Sequence, residues 1–333
     1  MKKSIAITLL ISITLIAIGI YYFIIPSNEN LKSTSSKNKQ ITIGYPNLRI
    51  ALPVIVAKDK GYFKDEGLDV KLKSYETAQP MMDAIISGKI NLGGFCALPI
   101  TFGAMARSKT DLLFLGGMYE DDAHKISVML VKKDNNTIKS VKDLKGKKIG
   151  ILPTRAYEAW LQGILIHNGI DLNDVIIRQI KPVLQGDALA KGSIDALFTN
   201  DPAATIIEAK GIGKELTKEA LVPQSTGLSP FYFGSFNIRK DFAISNPDIV
   251  RKVSLALDKA SKFINDNSDA KLILAKGEYF PEKFRSIVKG FPNSYFKSSN
   301  QVKNEDLNKI KNFYFQEKIL PVNINVQGLQ YGN

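Results

Sequence analysis

Short apolar segments alternate with helix-length amphipathic segments through the first third of the chain. Residues 41–45 alternate between apolar and polar as a β-strand does, 51–59 are apolar enough for a buried helix, and 68–72 alternate again. The same pattern predicts helices over 78–87 and 98–107, and strands over 90–95 and 112–118. Strands and helices that alternate in this way predict a parallel, doubly wound α/β unit.

A second α/β unit follows, and the chain then becomes mostly helical. The predicted strands of this unit cover 126–131, 148–152, 175–179 and 196–199, and its helices cover 140–144, 155–167, 183–190 and 202–210. After a Pro/Gly/Ser-rich loop at 223–230, one more strand is predicted over 231–238. The last helices, over 247–267, 269–276, 281–289 and 304–316, are expected to pack on the first unit.

Two strand–helix junctions in the second unit carry polar residues at the carboxyl end of a strand. In residues 147–168 a buried strand leads through Pro153 to Thr154, which is a good N-cap for the next helix. Asn200 and Asp201 occupy the same place after the strand over 196–199. Helix N-termini at the carboxyl edge of an open sheet are where small ligands bind, and two such edges facing each other would form a pocket. Two ordinary βα units without a ligand are the alternative.

The N-terminal segment predicts export. Lys2 and Lys3 precede 22 uncharged residues at 4–25, or about 33 Å of helix, which is enough to cross a bilayer core. Aromatic residues and Pro26 at its far end favour a retained signal-anchor, whereas Ala17-x-Gly19 offers a cleavage site for a signal peptide. Residues 1–26 are therefore expected to anchor or export the chain, and the polar residues 27–40 to form a flexible tether. The remainder is expected in the periplasm or at the outer face of the cytoplasmic membrane.

Composition and charge narrow the function. The 333-residue chain has a formal charge of +13, but its lysines and arginines are interleaved with acids and form no stripe with aromatic residues, so nucleic-acid binding is not expected. Cys96 is the only cysteine, which excludes an intrachain disulfide and a cysteine-based metal site. His124 and His167 are far apart in the chain, so neither a metal nor another cofactor is predicted.

Five local patterns occur in one order between residues 41 and 275: VAKDKGYFKDEGLDVKL (56–72), MMDAIISGKINLG (81–93), IKSVKDLKGKKIGI (138–151), DVIIRQIKPVLQGDALAKGSIDALFTNDP (174–202) and FNIRKDFAISNPDIVRKVSLALDKASKFINDN (236–267). Together they resemble the periplasmic substrate-binding proteins of ABC transporters in the nitrate, sulfonate, taurine and thiamine-precursor family. The resemblance implies a type II periplasmic-binding-protein fold, in which two doubly wound α/β lobes are joined by a two-segment hinge. Lobe one would comprise 41–118 plus 232–333 and lobe two 125–223, with crossovers at 119–124 and 224–231.

The resemblance also implies the mechanism and the partners. A small-molecule solute would bridge the lobes and favour a closed form, which an ABC permease with its ATPase subunits would recognise. The protein would act as a monomer, attached to the cytoplasmic membrane through residues 4–25, and would catalyse no reaction.

Strand ends predict which residues contact the solute. From lobe one these are Asn47, Leu48, Thr77, Gln79, Phe95 and Cys96, and from lobe two they are Thr154, Arg155, Tyr157, Asn200 and Asp201. Each has a structural alternative: Phe95 and Tyr157 as core residues, Arg155 as a surface charge, Asp201 as an N-cap and Cys96 as an apolar wall residue.

The solute itself is less well determined by these residues. Pro153 removes an N–H from the turn before the helix and weakens an oxyanion site, although Arg155 offers bidentate donors to an anion. Asp201 instead favours an amine-bearing or heterocyclic solute. We expect a small polar or zwitterionic organic molecule, with a thiamine pyrimidine precursor and taurine or alkanesulfonates as the leading candidates. The acids at 120–122 beside His124 offer a cation site or a solvated hinge.

Two other functions remain open on the same fold. One branch of the family synthesises the thiamine pyrimidine with a cysteine-rich iron motif, and residues 93–96 lie where that motif would fall, but only Cys96 is a cysteine. No nucleophile–histidine–acid pattern or phosphate-binding loop supports an enzyme elsewhere. The other alternative is a membrane-tethered solute sensor that works without a permease.

Overall fold

The structure is a computed structural model that describes residues 40–276 and 279–332. The predicted signal-anchor at 1–26 and the tether, apart from Gln40, lie outside the described residues. Within the described part of the chain, no helix is both long and apolar enough to cross a membrane.

In the described residues the strands, labelled in chain order, are β1 Ile41–Pro46, β2 Val70–Tyr75, β3 Leu92–Ala97, β4 Leu112–Glu120, β5 Ser127–Lys132, β6 Lys148–Ile151, β7 Ile176–Gln179, β8 Ala196–Asn200, β9 Gly213–Glu215, β10 Phe231–Arg239 and β11 Tyr295–Lys297. The α-helices are α1 Leu52–Asp59, α2 Tyr62–Asp65, α3 Ala78–Ile86, α4 Leu98–Ser108, α5 Arg155–His167, α6 Pro182–Ala190, α7 Ala203–Ala209, α8 Leu221–Thr226, α9 Lys240–Ser245, α10 Pro247–Asp266 and α11 Asn304–Gln316. Short 3-10 helices cover Arg49–Ala51, Val141–Leu144, Leu172–Asp174, Ser268–Ala275, Glu282–Gly290 and Ser299–Gln301.

The first sheet has the strand order β11-β4-β10-β3-β1-β2. Strands β1, β2 and β3 are parallel, as expected, but β4 does not pair with β3. Strand β10 lies between them and is antiparallel to both, with Ser235 opposite Cys96 on one side and Gly117 on the other. Because β4 is antiparallel to β10 and β10 is antiparallel to β3, strand β4 runs parallel to β1, β2 and β3, as expected for the unit over 41–118. It is nevertheless separated from β3 by a strand that lies more than a hundred residues later in the chain.

The second sheet repeats this arrangement in the order β7-β6-β8-β5-β9. Strands β6, β7 and β8 are parallel, and β5 runs antiparallel to both β8 and β9. Strands β9 and β11, three residues each, were not predicted, because so short a segment has no recognisable period.

The chain passes between the two sheets twice. It leaves the first sheet at the end of β4 and enters the second at Ser127, and it returns between the end of β9 and the start of β10, through α8. These passages contain or overlap the predicted crossovers at 119–124 and 224–231. The limits of the lobes and their movement about this hinge remain predictions.

Close packing of backbone holds β3, β10 and β4 together. A side chain at Gly234 would overlap the carbonyl of Cys96, and one at Gly117 would overlap the carbonyl of Gly234. Strand β3 is buried along its whole length, and the same apolar core continues through α5 to the second sheet. The carboxyl edges of both sheets therefore belong to one continuous, well-packed apolar core.

Candidate functional site

The two strand–helix junctions singled out in the sequence lie side by side. Strands β6 and β8 are parallel neighbours with Ile151 opposite Phe198, so Thr154 and Asn200 come from one edge of the second sheet. The two junctions therefore do not face each other as expected. The residue that meets this edge from the other side is Arg49, which follows β1 in the first sheet.

Thr154 begins helix α5 as predicted. Its Oγ1 accepts a hydrogen bond from the backbone N–H of Tyr157 at 3.3 Å, which confirms the N-cap. The first turn of α5 then places Tyr157 against Phe198 of β8, with ring centroids 5.0 Å apart. The cap thus determines where the buried Tyr157 side chain lies.

Asp201 lies one residue before Pro202, the N-cap of α7, so the predicted N-cap was off by one residue, and its contact with a solute remains a prediction. Its Oδ1 accepts hydrogen bonds from Thr205 N at 3.3 Å and from Thr205 Oγ1 at 2.5 Å, in the first turn of α7. Its Oδ2 lies 3.2 Å from Arg49 Nε, and both side chains are almost completely buried. A single carboxylate therefore stabilises the start of a helix and pairs with a cation that belongs to the other sheet.

The Arg49 guanidinium has several polar partners at this edge of the second sheet. Its Nη1 donates to Ser294 Oγ at 2.8 Å and to Pro292 O at 3.2 Å, and its Nη2 donates to Lys125 O at 2.9 Å. Only 2% of its surface is exposed, and desolvation lowers its pKa although the nearby carboxylates of Asp201 and Glu120 act to raise it. Arg49 is not among the residues predicted from the sequence, although its two predecessors, Asn47 and Leu48, are. A lone charge beside the apolar run 50–57 was the available signal.

Glu120 ends β4 and is fully buried. Its Oε1 accepts hydrogen bonds from the backbone N–H groups of Ile126 and Ser127, both at 3.0 Å, and from Ser127 Oγ at 3.1 Å. Burial raises the pKa of this carboxyl to about 7, against these hydrogen bonds and the charge of Arg49, which lower it. Glu120 was expected in a solvated acidic hinge. That interpretation was wrong for this residue, because its carboxylate folds back onto the first residues of β5.

The other two acids of the hinge, Asp121 and Asp122, form hydrogen bonds that stabilise the loop. Asp121 Oδ1 accepts from His124 N at 2.8 Å and contacts His124 Nδ1 at 2.9 Å, and Asp122 Oδ1 accepts from Ala220 N at 2.7 Å. Among the residues that the structure describes, no group of three or more His, Cys, Asp or Glu side chains could hold a metal ion.

We call Arg49, Glu120, Tyr157 and Asp201 the interlobe cluster. Burial, together with the negative charges of Glu120 and Asp201, raises the pKa of Tyr157 well above its usual value. The Tyr157 hydroxyl is buried and has no hydrogen-bond partner among the described residues. Because buried polar groups are nearly always paired, this hydroxyl indicates a place where a further polar group fits. The cluster has two carboxyl groups and one guanidinium, so its net charge is zero or negative.

The remaining predicted residues divide into two sets. Asn47, Leu48 and Asn200 are half-buried at strand ends, while Thr77, Gln79 and Arg155 are exposed at helix N-termini. Phe95 and Cys96 lie wholly inside the core: Phe95 packs on Phe233 at 6.2 Å and on Phe236 at 6.0 Å, and burial raises the pKa of the Cys96 thiol to about 12. The structure thus brings Tyr157 and Asp201 together with Arg49. Solute contact remains a prediction for every residue of the set.

Trp160 connects the two sheets beside this cluster. It lies on α5, and its Nε1 donates to Tyr314 Oη of α11 at 2.8 Å. Its ring packs on Phe233 of β10 at 4.6 Å, and only 1% of its surface is exposed. The only tryptophan of the chain therefore lies where the two lobes meet.

Comparison with known proteins places the chain in a family. The model of the "NMT1/THI5 like" family matches residues 50–270, which is more than half of the chain. The chain belongs to the NMT1/THI5-like family. This confirms the resemblance found in the sequence and is consistent with the strand orders described above.

Relatives and solved structures agree with this assignment. The chain is 26% identical over 228 residues to the taurine-binding periplasmic protein of Escherichia coli strain K12, covering 67% of this chain and 66% of that protein. It is 34% identical over 98 residues, 29% of this chain and 27% of the relative, to 4-amino-5-hydroxymethyl-2-methylpyrimidine phosphate synthase of Aspergillus parasiticus. The structure resembles that of the periplasmic aliphatic sulphonate binding protein SsuA from Escherichia coli. The TM-score is 0.70 with 19% identity, over 88% of this chain and 97% of that one. The type II periplasmic-binding-protein fold is therefore confirmed.

Proposed function

We propose that this protein is the extracytoplasmic solute-binding component of an ABC importer. The observation that carries the proposal is the interlobe cluster, a buried polar site built by the carboxyl edges of both sheets. The family, the type II fold and a taurine-binding periplasmic relative support the same function. In type II folds the cleft between the lobes is where a solute would bind, and our proposal assigns Arg49, Asp201 and Tyr157 to that cleft.

Closure of the lobes would depend on Arg49 and Asp201. Their contact joins the end of β1 to the start of α7, and Arg49 also holds Lys125 at the first crossover and residues 292–294. A solute that adds contacts to both edges would favour the closed arrangement, because a ligand shifts a conformational equilibrium by its difference in affinity for the two forms. An ABC permease with its ATPase would then recognise that form.

The charges of the interlobe cluster favour a solute that carries a nitrogen donor. Both Nη atoms of Arg49 donate to protein acceptors, and its Nε faces Asp201, so a buried anion would have to displace existing partners. Two carboxyl groups and an unpaired Tyr157 hydroxyl suit an amino or ring N–H group instead. Of the expected solutes, a thiamine pyrimidine precursor and taurine, whose ammonium accompanies its sulfonate, fit better than simple alkanesulfonates.

The location of the protein, its membrane attachment and its oligomeric state are part of the same proposal. The periplasmic relatives support a location in the periplasm or at the outer face of the cytoplasmic membrane. Attachment through residues 4–25 and a monomeric state follow from the sequence interpretation. A membrane-tethered sensor would bind solute in the same way, and stimulation of a partner ATPase by the solute-loaded protein separates the importer from the sensor.

The synthase relative favours one competing function, an enzyme of pyrimidine synthesis. Against it, Cys96 is the only cysteine and is wholly buried, so the cysteine-rich iron motif has no counterpart here. Conversion of any candidate solute by the purified protein would overturn the proposal of a non-catalytic binding protein.

A ligand screen tests the proposal directly. Thermal unfolding of residues 40–333 would be followed with 4-amino-5-hydroxymethyl-2-methylpyrimidine, taurine, alkanesulfonates, nitrate and divalent cations in turn. We expect a clear rise in the unfolding midpoint with one organic solute, together with a change in Trp160 fluorescence and a dissociation constant at or below about 10 μM. Stabilisation by inorganic anions or metals alone would refute the proposal.

A further inference from the structure

A cavity of about 170 Å³ lies beside the second crossover and shares no residue with the interlobe cluster. Its walls come from the crossover itself, from the start of β10, from the end of β11 and from α11. The lining residues are Gly227, Leu228, Ser229, Pro230, Tyr232, Lys297, Asp306, Lys309 and Ile310. The volume is several times that of one water molecule and suits a compact molecule of a few carbon atoms.

Lys297 gives this cavity a half-buried positive charge. Its Nζ lies 3.9 Å from the ring centroid of Tyr119, and that ring stacks on Tyr232 at 4.7 Å. Among the described residues, no carboxylate forms an ion pair with Lys297. Burial and the nearby Lys303 lower its pKa, and the charge of Asp306 only partly offsets them. A half-buried cation that forms no direct ion pair is stabilised when an anion binds beside it.

The other charged residues of the cavity restrict the kind of anion. Lys309 forms an exposed ion pair with Glu305 at 2.5 Å, so it is already neutralised. Asp306 Oδ2 lies 3.5 Å from Tyr119 Oη and forms no ion pair in the described part of the chain. A ligand must therefore offer a negative group to Lys297 and a hydrogen-bond donor to Asp306. A compact inorganic polyanion brings more negative charge close to Asp306 and is repelled by it.

We propose that this cavity is a second binding site, which takes a small hydroxy- or amino-carboxylate with its carboxylate at Lys297 and its hydroxyl or ammonium group at Asp306. The apolar side chains of Leu228, Pro230 and Ile310 contact the carbon atoms of the ligand. The site shares no residue with the interlobe cluster, so it can be occupied independently of the solute bound there.

Isothermal titration of the full-length chain in detergent, at low ionic strength, tests this site with lactate, serine, acetate and inorganic phosphate. We expect lactate or serine to bind with a dissociation constant of about 1 mM or tighter, and acetate and phosphate to bind at least about tenfold more weakly. Lys297→Gln should raise the dissociation constant of the tighter ligand by at least about tenfold. Lys262→Gln is the matched control, because it removes the same charge from an exposed pair with Asp266 and should change nothing.

Three results would overturn the second site: no binding of lactate or serine to the wild-type chain, phosphate binding as tight as either, or equal loss of binding in Lys262→Gln and Lys297→Gln. If Lys297→Gln does not fold, NMR of the wild-type chain with ¹³C-methylated lysines replaces it. A rise in the pKa of Lys297 on addition of the tighter ligand supports the site, and an unchanged pKa rejects it. None of these results bears on solute binding at the interlobe cluster.

Discussion

Removal of the Arg49 guanidinium should destabilise the protein far more than removal of an ordinary surface arginine. In Arg49→Met the side chain keeps most of its volume but loses its charge and its donors. Asp201 is then left as a buried, unpaired carboxylate, and Ser294 Oγ, Pro292 O and Lys125 O lose their donor. The effect should therefore come from electrostatics and hydrogen bonding and not from a cavity.

The magnitude follows from the burial of the pair. Removing one partner of a buried ion pair typically costs about 3–5 kcal/mol, and the lost hydrogen bonds act in the same direction, so we expect at least about 4 kcal/mol for Arg49→Met. Asp201→Asn keeps an acceptor for Thr205 and leaves Arg49 with its other partners. It should cost about 2–3 kcal/mol. Because each single change leaves a charge unpaired, the double variant should be less destabilised than the sum by about 2 kcal/mol.

Urea unfolding of residues 40–333, followed by Trp160 fluorescence and far-ultraviolet circular dichroism, measures these differences. Arg251→Met is the control, since Arg251 and its partner Asp248 are both largely exposed. It should change the free energy of unfolding by less than about 0.5 kcal/mol. A cost of less than about 1 kcal/mol for Arg49→Met, or simple addition of the effects at Arg49 and Asp201, would show that the pair does not stabilise the fold in this way.

Three further predictions concern single buried groups in or beside the interlobe cluster. The pKa of Glu120 rises from about 4.5 to about 7 on folding, so the native state holds the proton more tightly, and the free energy of unfolding should fall by about 3 kcal/mol as pH rises from about 4.5 to 8. Glu120→Gln should flatten this dependence, and an unaltered pH profile of stability in the variant would contradict the assignment. Tyr157→Phe removes a hydroxyl without a partner, so stability should stay within about 1 kcal/mol, while affinity for the solute falls about tenfold in calorimetry. A loss of stability with normal affinity would instead make Tyr157 a structural residue. Tyr314→Phe leaves Trp160 Nε1 without an acceptor and should lower the urea midpoint by the equivalent of about 1–3 kcal/mol, whereas an unchanged midpoint would show that this bond contributes little.

Much of the local structure could be predicted from the sequence, because its causes lie within a few residues. Helix α5 covers the predicted residues 155–167, and the Thr154 cap involves an N–H only three positions away. The βα repeat and the order of five local patterns were enough to predict the family and the type II fold, both confirmed by the comparisons. Periodicity and capping are local properties, and local properties can be read without knowing which strands pair.

The site itself was decided by tertiary structure. Arg49 finds partners 76, 152 and 245 positions away, in Lys125, Asp201 and Ser294. No pattern around position 49 predicts which of these segments will surround it. The insertion of β10 between β3 and β4 brings the distant segments together, and it also places Phe95 and Cys96 in the core instead of at the open edge. The chain alone determined which elements form, whereas burial and the pairing of charges depend on non-local packing, and only the folded structure decided which polar side chains share a site.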